Sequence, residues 1–176
     1  AASDVYKRQG RIPIFCDTTS CTHTLLFETG GDILTPENRE KYKQLKIMDI
    51  TQWLKEVVLP RIKVIRPKNR ILLHPTCSCQ IMGLTPVLLD IARKCAREVI
   101  LPDNWGCCGA SGDRGFIFPE LSDSATRDER DEIGHESFDG CYSLARTCEI
   151  AMQDHIEQPY ESIVYLVDET IQDQGT

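Results

Sequence analysis

Three features that are absent from this sequence argue against particular classes of function. No run of apolar residues approaches the roughly 20 that a membrane-spanning helix requires, so we expect no membrane span. The 20 basic residues are outnumbered by 27 acidic ones, whereas nucleic-acid binding depends on clustered Lys and Arg. The chain also lacks a glycine-rich phosphate loop. We therefore expect neither a nucleic-acid partner nor a nucleotide site within these residues.

Cysteine, by contrast, is abundant. Nine of the 176 residues are cysteines, although a chain of this length can bury a sizeable core without disulfides. In a cytosolic protein, such an odd-numbered set is typical of metal binding or catalysis rather than of a disulfide framework. The composition therefore predicts a site built from thiols.

Residues 1–10 differ from the rest of the chain, because their sequence resembles translated sequencing-adapter sequence. We expect them to be a non-native leader, with the native chain beginning near Arg11 and more of it lying upstream. A flexible native linker is the alternative.

Beyond this leader, short apolar runs alternate with amphipathic segments. The pattern predicts an α/β fold with a parallel sheet. Thr35 followed by Pro36 is typical of a helix start. We expect strands at 11–17, 71–74, 98–102 and 139–143, and helices at 22–27, from 35, at 49–59, 86–94, 120–136, 146–155 and 162–169. The highly charged helix 120–136 is predicted to be a solvated surface helix.

Several cysteines directly follow the predicted strands. Cys77 and Cys79 come after the second strand, Cys107 and Cys108 lie in the loop after the third, and Cys148 follows the fourth. Ligands of parallel sheets bind at the carboxyl ends of the strands. We therefore expect loops at that edge to bring distant thiols together.

The remaining four cysteines occupy different positions. Cys16 and Cys21 flank the turn after the first strand. Cys95 lies on the apolar face of helix 86–94 and Cys141 lies within strand 139–143, so we expect both to be core residues.

The adjacent pair Cys107 and Cys108 is the most distinctive local feature. Neighbouring cysteines cannot close an unstrained disulfide with each other. Both could face one metal centre if the backbone bends sharply, and Gly106, Gly109 and Gly112 would supply that freedom. The alternative is a pair of small buried apolar side chains.

The wider spacing of the cysteines resembles a known family. In the segment Cys77 to Cys148, 29 residues separate Cys77 from the Cys107 of Cys107-Cys108-Gly109, and 39 residues separate Cys108 from Cys148. This order is similar to the cysteine-rich CCG domain, and the resemblance covers residues 11–171. The domain occurs in heterodisulfide reductase, in the iron–sulfur subunit of glycolate oxidase and in FAD-linked D-lactate dehydrogenases.

The CCG domain normally occurs twice per protein, which implies a division of this chain. Residues 11–68 would hold the end of a first repeat and its connecting helices, and residues 69–176 would form the second repeat. Asp17 to Cys21 looks like the closing motif of the first repeat, so Cys21 would bind a separate cofactor whose other ligands lie upstream. Residues 112–116 and 146–150 look most similar to the D-lactate dehydrogenase type.

The resemblance also implies a cofactor. Cys77, Cys107, Cys108 and Cys148 would be its ligands, the usual complement of a [4Fe–4S] cluster. Four thiolates also suit tetrahedral zinc. Ala145 stands where the fullest family pattern has a further cysteine, so the set holds fewer thiolates than that pattern.

Three other side chains could assist this site. His74 is a second-shell donor or a ligand, or else it simply packs at the end of its strand. Arg114 and Arg146 could offset the negative charge of a cluster, or could have no measurable effect as surface arginines.

The function implied by the resemblance is electron transfer within an FAD-dependent D-2-hydroxy acid dehydrogenase of the D-lactate type. FAD would be bound by another domain of the same polypeptide, and a quinone or cytochrome would accept the electrons. The chain alone would be inactive. We expect it in the cytoplasm, or peripherally at the inner face of the membrane.

Three alternatives remain open from the sequence. One is a zinc-binding structural or interaction domain. Another is the iron–sulfur subunit of a glycolate oxidase or of a heterodisulfide reductase-like complex. The last is a thiol–disulfide protein that uses Cys77 with Cys79, or Cys107 with Cys108.

Overall fold

Short parallel strands and intervening helices make up the part of the chain that the computed structural model describes, residues 12–29 and 33–171. The predicted leader 1–10 and Arg11 lie outside this part. The strands are β1 (Ile14–Cys16), β2 (Ile47–Asp49), β3 (Lys68–Leu73), β4 (Ala96–Ile100), β5 (Gly140–Ser143) and β6 (Tyr160–Ser162). The helices are α1 (Thr19–His23), α2 (Pro36–Tyr42), α3 (Ile50–Trp53), α4 (Cys77–Ile81), α5 (Thr85–Cys95), α6 (Arg114–Ile117), α7 (Pro119–Ile133), α8 (Arg146–Ile156) and α9 (Ile163–Ile171). α1 and α3 continue as the π-helical turns Thr24–Glu28 and Leu54–Val58.

The strands form two sheets, and all of their pairings are parallel. One sheet pairs β1 with β2, and the other has the order β4-β3-β5-β6. This arrangement confirms the predicted α/β fold. The chain leaves the central strand β3 for β4 on one side and then returns to β5 on the other. Such a reversal places a crevice at the carboxyl ends of the two central strands.

Helices cover both faces of the four-stranded sheet. Ile71 and Leu73 of β3 face a core built with α3, α5 and α9, whereas Leu72 faces a second core built with α7 and α8. Alternate residues of a strand point to opposite faces, so each face has its own apolar side chains. All three residues are 0% exposed, and burial of each contributes about 1.5–3 kcal/mol to stability.

Local sequence signals define several helix starts. Thr35 caps α2 by accepting a hydrogen bond from the backbone of Asn38 at 3.3 Å. Asp49 caps α3 and forms a reciprocal capping box with Gln52. The start of α2 was predicted from Thr35 and Pro36, because a capping oxygen satisfies backbone N–H groups that the first turn leaves unpaired.

The structure also contains elements that the sequence pattern did not predict. β2, β6 and α4 are three to five residues long, too short for a periodic signal. β1 is limited to Ile14–Cys16, and α1 begins at Thr19 rather than at Thr22. No helix among the described residues combines the length and apolar character that crossing a membrane requires.

The charged helix α7 is exposed at most of its positions, as predicted for a solvated surface helix, but one of its faces is buried. Ser122, Thr126, Glu129 and Ile133 form a buried face. Glu129 is 1% exposed, and its Oε2 lies 2.9 Å from Nδ1 of His74, which is 0% exposed. His74 therefore anchors the end of β3 to α7, because two buried polar groups satisfy one another.

The buried contact between His74 and Glu129 yields a stability prediction. Glu129→Ala should lower the free energy of unfolding by about 3–5 kcal/mol, because it leaves the buried His74 without its partner. Glu129→Gln should cost less, since an amide can still bond the imidazole. The free energies are measured by urea denaturation followed by circular dichroism. Asp128→Ala, an exposed neighbour on the same helix, is the control, and equal losses for Asp128→Ala and Glu129→Ala would contradict the assignment.

Candidate thiol site

One cavity of about 480 Å³ lies at the carboxyl edge of the four-stranded sheet. Five cysteines from four separate segments of the chain line it, namely Cys21, Cys77, Cys107, Cys108 and Cys148. These are the five candidate ligands predicted from the sequence. Thr18 and Ala145 line the same cavity.

The strand ends position most of these thiols. Cys77 is the first residue of α4, four residues after β3 ends, and Thr76 caps this helix by accepting from the backbone of Cys79 at 3.2 Å. Cys148 lies in the first turn of α8, shortly after β5. Cys107 and Cys108 lie in the loop that follows β4.

Cys21 reaches the cavity through the docking of α1 onto the end of β5. The backbone N–H of Thr19 donates to the carbonyl of Leu144 at 3.2 Å, and Thr19 and Thr22 are both fully buried. Cys21 therefore lies at the same cavity as Cys148, whereas the resemblance implied a separate cofactor site for it. Thr19 was not singled out from the sequence, because nothing local relates it to a residue 125 positions away.

Two of the sulfur atoms at the cavity are in direct contact, because Sγ of Cys108 donates to Sγ of Cys148 at 2.9 Å. Cys77 and Cys107 are close enough for each to affect the pKa of the other, and so are Cys107 and Cys108. The structure thus brings the four ligands predicted from the sequence to the wall of one cavity.

The close packing of the thiols disfavours their ionisation. Burial, followed by the charge of Cys107, raises the pKa of Cys77. The pKa of Cys107 is raised above all by its hydrogen bond with Cys108. At Cys108 the hydrogen bond from Cys107 lowers the pKa, but the bond with Cys148 and burial outweigh it and raise the pKa to about 12. At neutral pH these groups are therefore thiols unless a cation displaces their protons.

Gly109 allows the cysteine loop to approach α7 closely. Its φ is +75°, and a Cβ at this position would lie 2.6 Å from the carbonyl oxygen of Leu121. Gly112 also has a positive φ, of +76°. Gly106, predicted to serve the same purpose, has neither a positive φ nor an atom near its would-be Cβ. The bend of this loop therefore depends on the glycines that follow the cysteine pair.

Three cysteines lie in the core and not at the cavity. Cys79, Cys95 and Cys141 are at most 1% exposed. Burial raises the pKa of Cys79 and of Cys141 to about 12. Cys95 and Cys141 were expected in the core. Cys79 joins them because residues two apart on a helix point in different directions, so that Cys77 faces the cavity and Cys79 does not.

The charged residues proposed to assist the site have different positions. Arg146 lines the cavity, with its side chain 71% exposed and Nη1 bonded to Oε2 of Glu149 at 3.0 Å. Arg114 begins α6 and does not line the cavity. His74 is likewise absent from its wall and bonds to Glu129.

The thiols are not arranged around a single point. Within residues 12–29 and 33–171, no three His, Cys, Asp or Glu side chains are placed to hold a metal ion. Two thiolates bound to one zinc ion at about 2.3 Å each would be roughly 3.8 Å apart in tetrahedral geometry, whereas Cys108 and Cys148 are 2.9 Å apart. Metal binding would therefore require these sulfur atoms to separate.

Comparisons with known proteins leave the family unassigned. No protein-family model matches the chain, and no curated protein matches its sequence.

The close approach at Gly109 yields a second prediction. Gly109→Ala should destabilise the protein by about 1–3 kcal/mol, because the new methyl group meets backbone atoms of α7 and the residue must keep a positive φ. Gly106→Ala, three residues earlier in open space, is the matched control and should change the melting temperature little. If Gly109→Ala has the same melting temperature as the wild type, the requirement for glycine at this position is disproved.

Proposed function

We propose that this chain is an iron–sulfur electron-transfer module. The observation that carries the proposal is the convergence of Cys77, Cys107, Cys108 and Cys148 on one cavity, where Sγ of Cys108 lies 2.9 Å from Sγ of Cys148. Thiolates are the protein ligands that iron–sulfur clusters use.

The cavity offers the sulfur donors that a cluster requires and room for more than one ion. Its cysteines offer sulfur donors, and their raised pKa values mean that a cationic centre would have to hold them as thiolates. The volume of about 480 Å³ is many times the roughly 30 Å³ that one water molecule occupies in the liquid. There is thus room for a group larger than a single ion.

The chain's own groups would then adjust the electrostatics of the site. The backbone N–H of Gly109 donates to Sγ of Cys107 at 3.4 Å, and hydrogen bonds to ligand sulfurs affect reduction potential. Cys148 lies in the first turn of α8, where the helix dipole stabilises negative charge. Arg146 adds a positive charge at the rim. A cluster held there would supply one-electron transfer.

The finer proposal places this module in an FAD-dependent D-2-hydroxy acid dehydrogenase of the D-lactate type. Its support is the spacing of Cys77, Cys107-Cys108-Gly109 and Cys148. We propose that a flavin domain of the same polypeptide donates the electrons, that a quinone or cytochrome accepts them, and that the module works in the cytoplasm or at the inner face of the membrane. The chain alone would not oxidise the hydroxy acid.

Anaerobic reconstitution with iron and sulfide tests the proposal directly. The protein should become brown, show broad visible absorption and contain about four iron and four sulfide ions per chain. Single Ser variants of Cys77, Cys107, Cys108 and Cys148 should lose most of this iron, because each keeps three of the four thiolates. Cys95→Ser, whose thiol lies in the core, is the control and should retain it.

Two outcomes would contradict the proposal. One is a colourless protein that binds one zinc ion per chain and takes up no iron with sulfide, which would indicate a zinc domain. The other is equal loss of iron in Cys95→Ser and in Cys148→Ser, which would show that general destabilisation, and not ligation, accounts for the loss.

The position of Cys21 generates a separate prediction. Because Cys21 lines the same cavity as the other four cysteines, Cys21→Ser should change the electron paramagnetic resonance spectrum of the reduced, reconstituted protein. Cys16→Ser is the matched control, since Cys16 is close in sequence but does not line the cavity. Spectra of Cys21→Ser and wild type that superimpose would place Cys21 outside the cofactor's surroundings.

A further inference from the structure

The contact between Cys108 and Cys148 brings two thiols close to the distance of a disulfide bond. Their Sγ atoms are 2.9 Å apart, and the residues are 4% and 7% exposed. A disulfide bond is about 2.05 Å long, so the sulfurs need to approach by only about 0.9 Å.

This pair differs from the dithiols suggested by the sequence. Cys107 and Cys108 are adjacent, so a bond between them would be strained. Cys77 faces the cavity while Cys79 is buried in the core, where its Sγ lies 3.9 Å from Oγ1 of Thr85. Cys108 and Cys148 come from different segments, 40 residues apart, and neither restriction applies to them.

Both residues also border a space that a small reagent could enter. Cys108 and Cys148 line the cavity of about 480 Å³, which has room for a small organic disulfide. The other cysteine in the core formed with α7 and α8 does not share this access, since Cys141 is 1% exposed and does not line the cavity.

We propose that Cys108 and Cys148 form a reversible disulfide when they are not bound to metal, with a low-molecular-weight disulfide as the oxidant. One cysteine thiol loses its proton, attacks the small disulfide as the thiolate and releases one half of it as a thiol. The second cysteine thiolate displaces the other half and closes the protein disulfide. Two protein thiols are oxidised, one small disulfide is reduced to two small thiols, and these thiols take up the two protons.

The disulfide would join the loop after β4 to the first turn of α8. It would also remove two of the four thiolates of the proposed cluster site, so oxidation and cofactor binding would exclude each other. This last consequence rests on the proposed function. The formation of the bond does not, because it depends only on the two thiols.

Disulfide mapping of the full chain tests the proposal. The protein, both as purified and after treatment with an iron chelator, is incubated with 2-hydroxyethyl disulfide, alkylated, digested and analysed by tandem mass spectrometry. In the metal-depleted protein, most molecules should carry a Cys108–Cys148 bond that dithiothreitol reverses. Complete alkylation of both residues, or mixed disulfides with the reagent alone, would overturn the proposal.

Serine variants of these two cysteines and of other cysteines nearby identify which sulfur atoms form the bond. Cys108→Ser and Cys148→Ser should abolish the cross-link, whereas Cys107→Ser and Cys141→Ser should keep it. A cross-link that survives in Cys108→Ser but is lost in Cys107→Ser would assign the bond to the neighbouring cysteine and overturn the proposal. Iron and sulfide content after reconstitution measures the proposed function separately, so one idea can fail while the other holds.

Discussion

Backbone pairing between β3 and β5 brings together segments that lie far apart in the chain. Ile71 pairs with Gly140 and Leu73 with Tyr142, so the two strands end at the same edge. Beyond the ladder, Oγ of Ser143 donates to the carbonyl of His74 at 2.8 Å, across 69 residues. A slip of one residue would turn every side chain of the strand to the opposite face. The two apolar cores and the common edge of the thiol cavity therefore both depend on this register.

At that edge the protein concentrates thiols whose neighbours disfavour their ionisation. Cys108 is the clearest case, since its contact with Cys148 and its burial raise the pKa to about 12. Repulsion between neighbouring thiolates can be relieved by protonation, by a bound cationic centre or by oxidation to a disulfide. The proposed cofactor and the proposed Cys108–Cys148 bond would each remove this repulsion.

Local sequence was sufficient to predict the helices that have a strong cap or a long apolar face. Thr35 marked the start of α2, and the apolar face that carries Cys95 marked the buried side of α5. It was insufficient for β2, whose three residues carry no periodicity and are ordered by pairing with β1. The buried face of α7 was also missed, because Glu129 resembles its solvated neighbours until His74 is placed beside it.

The sequence by itself determined the alternation of strands and helices and the placement of cysteines at strand ends, since both follow from residue order and local preference. Only the tertiary structure decided which cysteines meet. Docking of Thr19 against Leu144 brings Cys21 to the cavity, and the turn of α4 directs Cys79 into the core. Such contacts arise from strand register and helix packing over long separations, which no local pattern of residues encodes.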